Sequence, residues 1–119
     1  MRHRILIVED EAIPALELQL RLQSWGYEVI RTEAAGARAI EAAREDPPDL
    51  VIMDVILADD VDGLRAAEEI RTGLDVPIVF LTAVETRVRT ALGDAPSYRI
   101  VPKPYQTIDL QRAIEQLLA

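Results

Sequence analysis

The chain has 119 residues, half of them hydrophobic, and a formal net charge of -8 at pH 7. This length predicts one domain over residues 1 to 119 with enough apolar material for a core, and the acidic charge disfavours nucleic acid and anionic lipid as partners. Cysteine is absent, which excludes disulfides and thiolate metal sites. Because no signal-peptide pattern or membrane-length apolar run is present either, we predict a soluble cytoplasmic protein with no membrane contact.

The first strand and helix are predicted at the start of the chain. A strand is predicted near residues 4 to 8, because Ile5-Leu6-Ile7-Val8 is a continuous apolar run, which is typical of a strand buried on both faces of a parallel sheet. The helix that follows has Ile13, Leu16 and Leu20 on one stripe, which we expect to pack inward, and Gly26 just past its end.

Four more strands and four more helices continue the alternation. We predict strands near residues 28–32, 50–54, 77–82 and 100–102, and helices near 34–45, 64–71, 85–92 and 107–118. The second strand is more polar, as expected at a sheet edge. The last helix offers apolar residues for inward packing: Ile108, Ala113, Ile114, Leu117 and Leu118. Right-handed crossovers fold this pattern into an α/β, flavodoxin-like (βα)5 open parallel sheet, strand order 2-1-3-4-5, with helices on both faces.

Polar groups follow four of the predicted strands: Glu9 and Asp10, Asp54, Thr82, and Lys103. All of them emerge at the carboxyl edge of a parallel sheet, where open α/β folds bind their ligands. At about 5 Å and an effective dielectric constant of 20, each pair of carboxylates repels by roughly 3 kcal/mol, so the cluster requires a cation. Oxygen ligands without His or Cys suit Mg2+.

The same edge can serve phosphoryl transfer. Lys103 supplies a positive charge and Thr82 a hydroxyl donor, and with a metal ion they would neutralise the oxygens of a phosphoryl group. A neighbouring carboxylate can act as the nucleophile.

The sequence resembles the receiver domain of two-component response regulators over the whole chain. Five segments stand in the family's order: Ile5-Leu-Ile-Val-Glu-Asp-Glu11, Asp49-Leu-Val-Ile-Met-Asp54, Asp62-Gly63, Pro77-Ile-Val-Phe-Leu-Thr-Ala83 and Lys103-Pro104. Each segment alone is a weak signal, but five in register are a strong one. The resemblance implies that Asp54 accepts a phosphoryl group from a histidine kinase or phosphotransfer protein.

The resemblance also implies the roles of the neighbouring residues. It assigns Mg2+ to Glu9, Asp10, Asp54 and the backbone carbonyl of Ile56. It places Thr82 and Lys103 against the phosphoryl oxygens and makes the Lys103-Pro104 peptide cis. The chain would then be a signalling phosphoacceptor rather than an enzyme, although it would assist its own phosphorylation and slow dephosphorylation.

Several positions depart from the family pattern. The loop after Asp54 is one residue longer than usual before Gly63, and Ala58 replaces a proline four residues after the acceptor. Ile100 stands where the family has an aromatic switch residue, so we hypothesise that Tyr98, on the same side of the strand, relays movement of Thr82. The alternative is that Tyr98 is a partly exposed loop aromatic.

Two further features concern the phosphoryl lifetime, where the resemblance assigns the positions, and the last strand, where Pro102 departs from the family pattern. The positions flanking the path of the attacking water are Ile56 and Val84, both apolar, which predicts slow self-dephosphorylation. Pro102 lacks a ladder donor, which predicts an edge strand with an irregular end.

Simpler structural roles compete for the same residues. Glu9 and Asp10 together could cap the first helix, Thr82 could cap the fourth, and Lys103 could be a solvated charge. The further acidic residues Asp59, Asp60 and Asp62 are expected to form a solvated loop.

Two other functions remain open alternatives. One is a phosphorylation-independent docking module that keeps the receiver fold, and the other is an enzyme acting on phosphoesters. The chain is either a single-domain regulator or the receiver of a longer protein with an output domain, and its downstream partner is not specified. The faces of the fourth and fifth helices could form a homodimer.

Overall fold

The computed structural model describes residues 2–119, which form alternating strands and helices. These are β1 Arg4–Val8, α1 Ala12–Ser24, β2 Glu28–Glu33, α2 Gly36–Glu45, β3 Leu50–Met53, α3 Gly63–Gly73, β4 Ile78–Thr82, α4 Glu85–Leu92, β5 Tyr98–Pro102 and α5 Thr107–Leu118. The strands form one parallel sheet in the order β2-β1-β3-β4-β5. The predicted fold and strand order are therefore confirmed. None of the helices in the described residues is both long and apolar enough to cross a membrane.

The core has two layers, one on each face of the sheet. Leu6, Val51 and Phe80 point to the face covered by α2, α3 and α4, whereas Ile7, Ile52 and their neighbours point to the face covered by α1 and α5. Strands β1, β3 and β4 are buried on both faces, which explains why their sequences are apolar without alternation.

The two edge strands are β2 and β5, as predicted. The irregular end predicted at Pro102 is wrong, because the pairing of β4 with β5 continues in register to Thr82 and Pro102. One side of an edge strand has no partner, so a proline there need not interrupt the ladder. The irregularity lies instead in the pairing of β1 with β2, between Ile5 and Leu6.

The inward-facing stripe of α1 differs from the predicted one. Ile13, Leu16 and Leu20 are 72%, 55% and 57% exposed, while the buried residues are Ala15, Leu18 and Leu22. Each stripe repeats at i, i+3 and i+7, and an offset of two residues turns the helix by about 200°. The two stripes thus lie on nearly opposite faces of the helix. Because they have the same spacing, periodicity alone does not show which of them is buried.

Inward packing of α5 is only partly as predicted. Ala113 and Ile114 are buried, and Leu117 and Leu118 pack against the core, but Ile108 is 49% exposed. Leu110 takes the inward position in the first half of the helix.

Candidate functional site

Three carboxylates converge at the carboxyl edge of the sheet. Strands β1 and β3 are neighbours, with Val8 opposite Met53, so the residues that follow them emerge side by side. Oxygens of Glu9, Asp10 and Asp54 all lie within 4.8 Å of one another. The structure thus brings together the three acidic residues selected from the sequence.

Lys103 reaches into this cluster from the end of β5. Its ammonium group donates to Oε1 of Glu9 at 2.6 Å and to Oδ2 of Asp54 at 3.0 Å. The amide of Lys103 donates to the carbonyl of Thr82 at 2.9 Å, which holds its backbone beside the end of β4. The peptide bond from Lys103 to Pro104 is cis, as the resemblance implied. The side chain is 26% exposed. The reading of Lys103 as a solvated surface charge is therefore wrong.

Burial and charge act against each other in this cluster. Burial raises the pKa of Glu9 above its usual range, although the hydrogen bond from Lys103 opposes the rise. Burial lowers the pKa of Lys103, but its hydrogen bonds to Glu9 and Asp54 outweigh this effect and leave the pKa raised. Lys103 therefore stays protonated at neutral pH and supplies the cation that the carboxylates require.

The donor set fits a magnesium ion. Carboxylate oxygens within 4.8 Å of one another can approach a common ion, since cis ligands of octahedral Mg2+ at about 2.0 to 2.1 Å lie roughly 3 Å apart. A cavity of about 250 Å³ adjoins them, lined by Asp10, Glu11, Asp54, Ile56, Ala83 and Lys103. Ile56, implied as a carbonyl ligand, thus borders the same space, and its amide donates to Oδ1 of Asp54 at 3.3 Å.

Thr82 lies at the end of β4 and is fully buried. Its hydroxyl oxygen accepts from the amide of Val84 at 3.2 Å, and Val84 itself is the N-cap residue of α4. Thr82 therefore does not cap α4.

The capping role considered for Glu9 and Asp10 is also wrong. The N-cap residue of α1 is Glu11, whose own side chain forms no cap hydrogen bond. Glu9 does accept from the amide of Glu11 at 3.2 Å through Oε2, which holds its side chain at the edge of the sheet.

Two of the loop carboxylates have defined structural roles, contrary to the prediction of a solvated loop. The carboxylate of Asp59 accepts from the amides of Gly36 at 2.8 Å and Ala37 at 3.1 Å, so it caps α2 from another segment of the chain. Asp62 caps α3 by accepting from the amide of Arg65 at 2.9 Å and also pairs with Arg87 of α4. The longer loop is thereby attached to three helices.

Sequence reasoning missed both long-range partners of this loop. Asp59 and Gly36 are 23 positions apart, and Asp62 and Arg87 are 25 apart. Only the cap of α3 had a local signal, because an aspartate directly before a helix is a common N-cap.

Gly63 allows this loop to approach Asp54. A Cβ atom at this position would lie 1.9 Å from the carbonyl oxygen of Asp54 and 2.7 Å from Cα of Val55. The amide of Gly63 donates to the carbonyl of Val55 at 2.7 Å, which brings the two backbones together. Only glycine fits this approach.

The proposed switch residues lie on the side of the sheet covered by α3 and α4. Tyr98 pairs with Ile78 across the β4–β5 ladder, and Ile100 pairs with Phe80. The rings of Phe80 and Tyr98 meet edge to face, with centroids 5.8 Å apart. Tyr98 is 7% exposed and belongs to β5, so the alternative of a partly exposed loop aromatic is wrong.

The chain combines a five-stranded parallel α/β sheet with an acidic carboxyl edge and an adjacent lysine, and sequence comparison names the family of this arrangement. Residues 5–115 match the family model of the response regulator receiver domain. The chain therefore belongs to the response regulator receiver family.

Similar sequences include two bacterial regulators. The phyllosphere-induced regulator PhyR of Methylorubrum extorquens is 32% identical over 119 residues, which are 99% of this chain and 44% of that protein. The transcriptional regulatory protein PdtaR of Mycobacterium tuberculosis is 41% identical over 113 residues, covering 94% of this chain and 55% of PdtaR. The chain thus spans about half the length of the curated relatives it matches.

Solved structures show the same fold. The receiver domain of Erythrobacter litoralis PhyR aligns with a TM-score of 0.89 at 35% identity, covering 98% of this chain and 90% of that one. PhyR of Bartonella quintana, described as an anti-anti-sigma factor, aligns with a TM-score of 0.84 at 26% identity, covering 99% of this chain and 48% of that one.

Proposed function

We propose that Asp54 accepts a phosphoryl group from a histidine kinase or phosphotransfer protein in a magnesium-dependent reaction, and that this changes a surface which binds a downstream partner. The observation that carries the proposal is the contact of Lys103 with both Asp54 and Glu9. An ammonium group held at the acceptor is suited to follow the negative charge when it appears on a phosphoryl group.

Each residue of the site would have its own role in the phosphoryl transfer. A carboxylate oxygen of Asp54 attacks phosphorus, and the bond from phosphorus to the donor's imidazole nitrogen breaks with its electrons staying on that nitrogen. Glu9 and Asp10 would hold Mg2+, which supplies charge stabilisation for the phosphoryl oxygens. Lys103 would follow the new negative charge, and the hydroxyl of Thr82 would donate to a phosphoryl oxygen.

Movement of Thr82 offers a route to the surface. Thr82 accepts from the amide of Val84 in this structure, so turning its hydroxyl towards a phosphoryl group would free the amide of the residue directly before α4. Along β4, Phe80 lies two residues before Thr82 and packs against Tyr98. We therefore propose Thr82, Tyr98 and Ile100 as the switch, with the face of α4 and β5 as the surface that changes.

Phosphorylation with a small donor tests the function. Acetyl phosphate with Mg2+ should add one phosphoryl group to the native chain, seen as a mass increase of the intact protein, and Asp54→Asn should abolish it. Asp10→Asn should weaken Mg2+ binding. Full labelling of Asp54→Asn would contradict the assignment of the acceptor.

The same experiment separates the alternatives. A docking module independent of phosphorylation would remain unlabelled by a donor that labels a control receiver, and would bind its partner equally as Asp54→Asn. An enzyme would instead turn over added phosphoesters catalytically.

A further inference from the structure

Helix α4 has little buried surface to hold it against the sheet. Of its residues Glu85–Leu92, all of them in the described part of the chain, only Val88 is buried. Elements with few buried apolar contacts are the ones that move at a low cost in free energy. The position of α4 therefore depends strongly on its polar contacts with the rest of the chain.

Two polar contacts join the start of α4 to other segments. Val84, the residue directly before the helix, donates its amide to the hydroxyl oxygen of Thr82 at 3.2 Å. About one turn further along, the guanidinium group of Arg87 donates to Oδ2 of Asp62 in the loop between β3 and α3. The first contact ties α4 to the end of β4, and the second ties it to the loop that follows Asp54.

The other arginine of α4 has local partners. Arg89 pairs with Glu85 one turn earlier at 3.0 Å, and with Asp94, two residues past the helix, at 3.8 Å. Within residues 2–119, the pair of Arg87 with Asp62 is therefore the one ion pair that joins α4 to a distant segment.

Asp62 is a firmly held partner for Arg87. Its other carboxylate oxygen, Oδ1, accepts from the amide of Arg65 at 2.9 Å and so caps α3. The next residue, Gly63, donates its amide to the carbonyl of Val55 at 2.7 Å. Because the cap already orders this carboxylate, pairing costs less side-chain entropy than it does for two free side chains. Through Asp62, α4 is thus tied to the backbone that follows the proposed acceptor.

We propose that the pair of Arg87 with Asp62 is a latch that holds α4 in its unphosphorylated position and opposes the switch. The proposal rests on the proposed function, in which Thr82 turns towards the phosphoryl group and frees the amide of Val84. Arg87 then makes the remaining long-range polar contact of α4 within residues 2–119, and movement of the helix away from the loop has to break it. The latch therefore sets the fraction of molecules in the switched conformation.

The expected effect of the latch follows from the exposure of its two partners. The side chain of Arg87 is 51% exposed and that of Asp62 is 33% exposed. Ion pairs of this kind shift an equilibrium by about two- to fivefold, and the shift shrinks as salt screens the charges. This is enough to change the response of a switch whose two conformations differ little in free energy.

Beryllofluoride, a stable analogue of a phosphoryl group on a carboxylate, tests the latch. A ligand that binds the switched conformation better gains affinity when that conformation becomes more populated. Arg87→Gln should therefore bind beryllofluoride with Mg2+ about two- to fivefold more tightly than the native chain, and less so at high ionic strength. Titrations of the full chain, followed by backbone amide shifts, measure the affinity. The amides of residues 85–92 in free Arg87→Gln should already be displaced towards their positions in the bound native chain.

Matched variants separate the latch from other effects. Asp62→Asn keeps an oxygen that can cap α3 but removes the charge, so it should tighten binding as Arg87→Gln does. The double variant should bind no more tightly than either single variant. Arg87→Lys keeps the charge and should stay closer to the native chain. Arg89→Gln removes an arginine of the same helix that has local partners, and should leave the affinity unchanged.

Three results would overturn the latch. Equal affinity of Arg87→Gln and Arg89→Gln for beryllofluoride would do so while leaving the proposed phosphoryl site intact. Independent, multiplying effects of Arg87→Gln and Asp62→Asn in the double variant would show that the two residues do not act as a pair. Absence of saturable shifts in the native chain, with beryllofluoride that saturates a control receiver, would overturn the proposed function and the latch with it.

Discussion

The ammonium group of Lys103 lies 2.6 Å from Oε1 of Glu9, although the two residues are 94 positions apart in the sequence. The contact spans the sheet from the end of β5 to the end of β1. It places a cation where the carboxylates of Glu9, Asp10 and Asp54 would otherwise repel one another. Lys103 therefore stabilises the fold as well as preparing the proposed site.

Removal of this cation should make stability depend on metal. Lys103→Met leaves the carboxylates without their partner, so we expect the free energy of unfolding in EDTA to fall by about 1–3 kcal/mol, since Lys103 is not fully buried. Mg2+ should restore more stability to Lys103→Met than to the native chain. Lys103→Arg keeps the charge and serves as the control in the same thermal-melting series. Equal melting of Lys103→Met and the native chain in EDTA would show that the contact contributes nothing.

A methyl group at Gly63 should disrupt the loop beside Asp54, the proposed acceptor. Its Cβ would lie 1.9 Å from the carbonyl oxygen of Asp54, and backbone cannot move aside as a side-chain end can. We expect Gly63→Ala to lower the free energy of unfolding by about 2 kcal/mol or more. The control is Gly73→Ala, since an added Cβ there would meet no described atom within 4 Å apart from its chain neighbours and its own helix backbone. This variant should be neutral or stabilising by up to about 1 kcal/mol. Urea unfolding of the two variants measures the difference, and similar values would refute the close approach.

Asp59 makes a pH-dependent contribution to the free energy of unfolding. Hydrogen bonds from the amides of Ala37 and Gly36 lower its pKa below the ordinary value of 3.8, so its stabilising effect is present above that pH and lost as the pH falls through the lowered value. Asp59→Ala should reduce the free energy of unfolding at neutral pH by about 1 kcal/mol, a typical value for an N-cap.

The difference between the native chain and Asp59→Ala, measured by urea unfolding, should shrink as the solution is acidified. Asp60→Ala removes a neighbouring exposed carboxylate and should have little effect at any pH. A difference that persists unchanged in acid would mean that the ionised cap is not its origin.

Ile56 and Val84 are expected to prolong the phosphorylated state. Ile56 is 55% exposed beside the proposed acceptor, and Val84 is the N-cap residue of α4. Neither can orient an attacking water. The double variant Ile56→Asn with Val84→Glu should therefore dephosphorylate faster, by about tenfold or more if the new groups position water. The measurement is the decay of the isolated phosphoprotein, with Ile56→Val and Val84→Ile together as the apolar control. If the polar variant decays no faster than the control, these side chains do not limit the reaction.

Tyr98 should carry part of the response to phosphorylation. Tyr98→Ala removes the ring that packs against Phe80, so it should leave labelling of Asp54 intact while reducing amide shifts across residues 85–102. Tyr98→Phe keeps the ring and should retain most of the response. An undiminished response in Tyr98→Ala would place the relay elsewhere.

The sequence was sufficient to predict the order of the elements and the residues of the candidate site. Strands such as Leu50–Met53 are buried on both faces, which requires continuous apolar runs that are visible without a structure. Parallel strands end at one edge, so the positions of Glu9, Asp54 and Lys103 relative to those runs predicted their convergence.

Only the tertiary structure shows which apolar stripe of a helix is buried and which distant residues are in contact. Both stripes of α1 repeat alike, and the one that contains Leu18 is buried because the neighbouring sheet and α5 cover it. Asp59 caps α2, and Asp62 pairs with Arg87, across more than 20 positions of the sequence. Such contacts cannot be predicted from the local sequence. Burial of Tyr98 likewise depends on the packing of α4 and Phe80 against β5. Local periodicity determines secondary structure, whereas these contacts depend on how the elements are placed against one another.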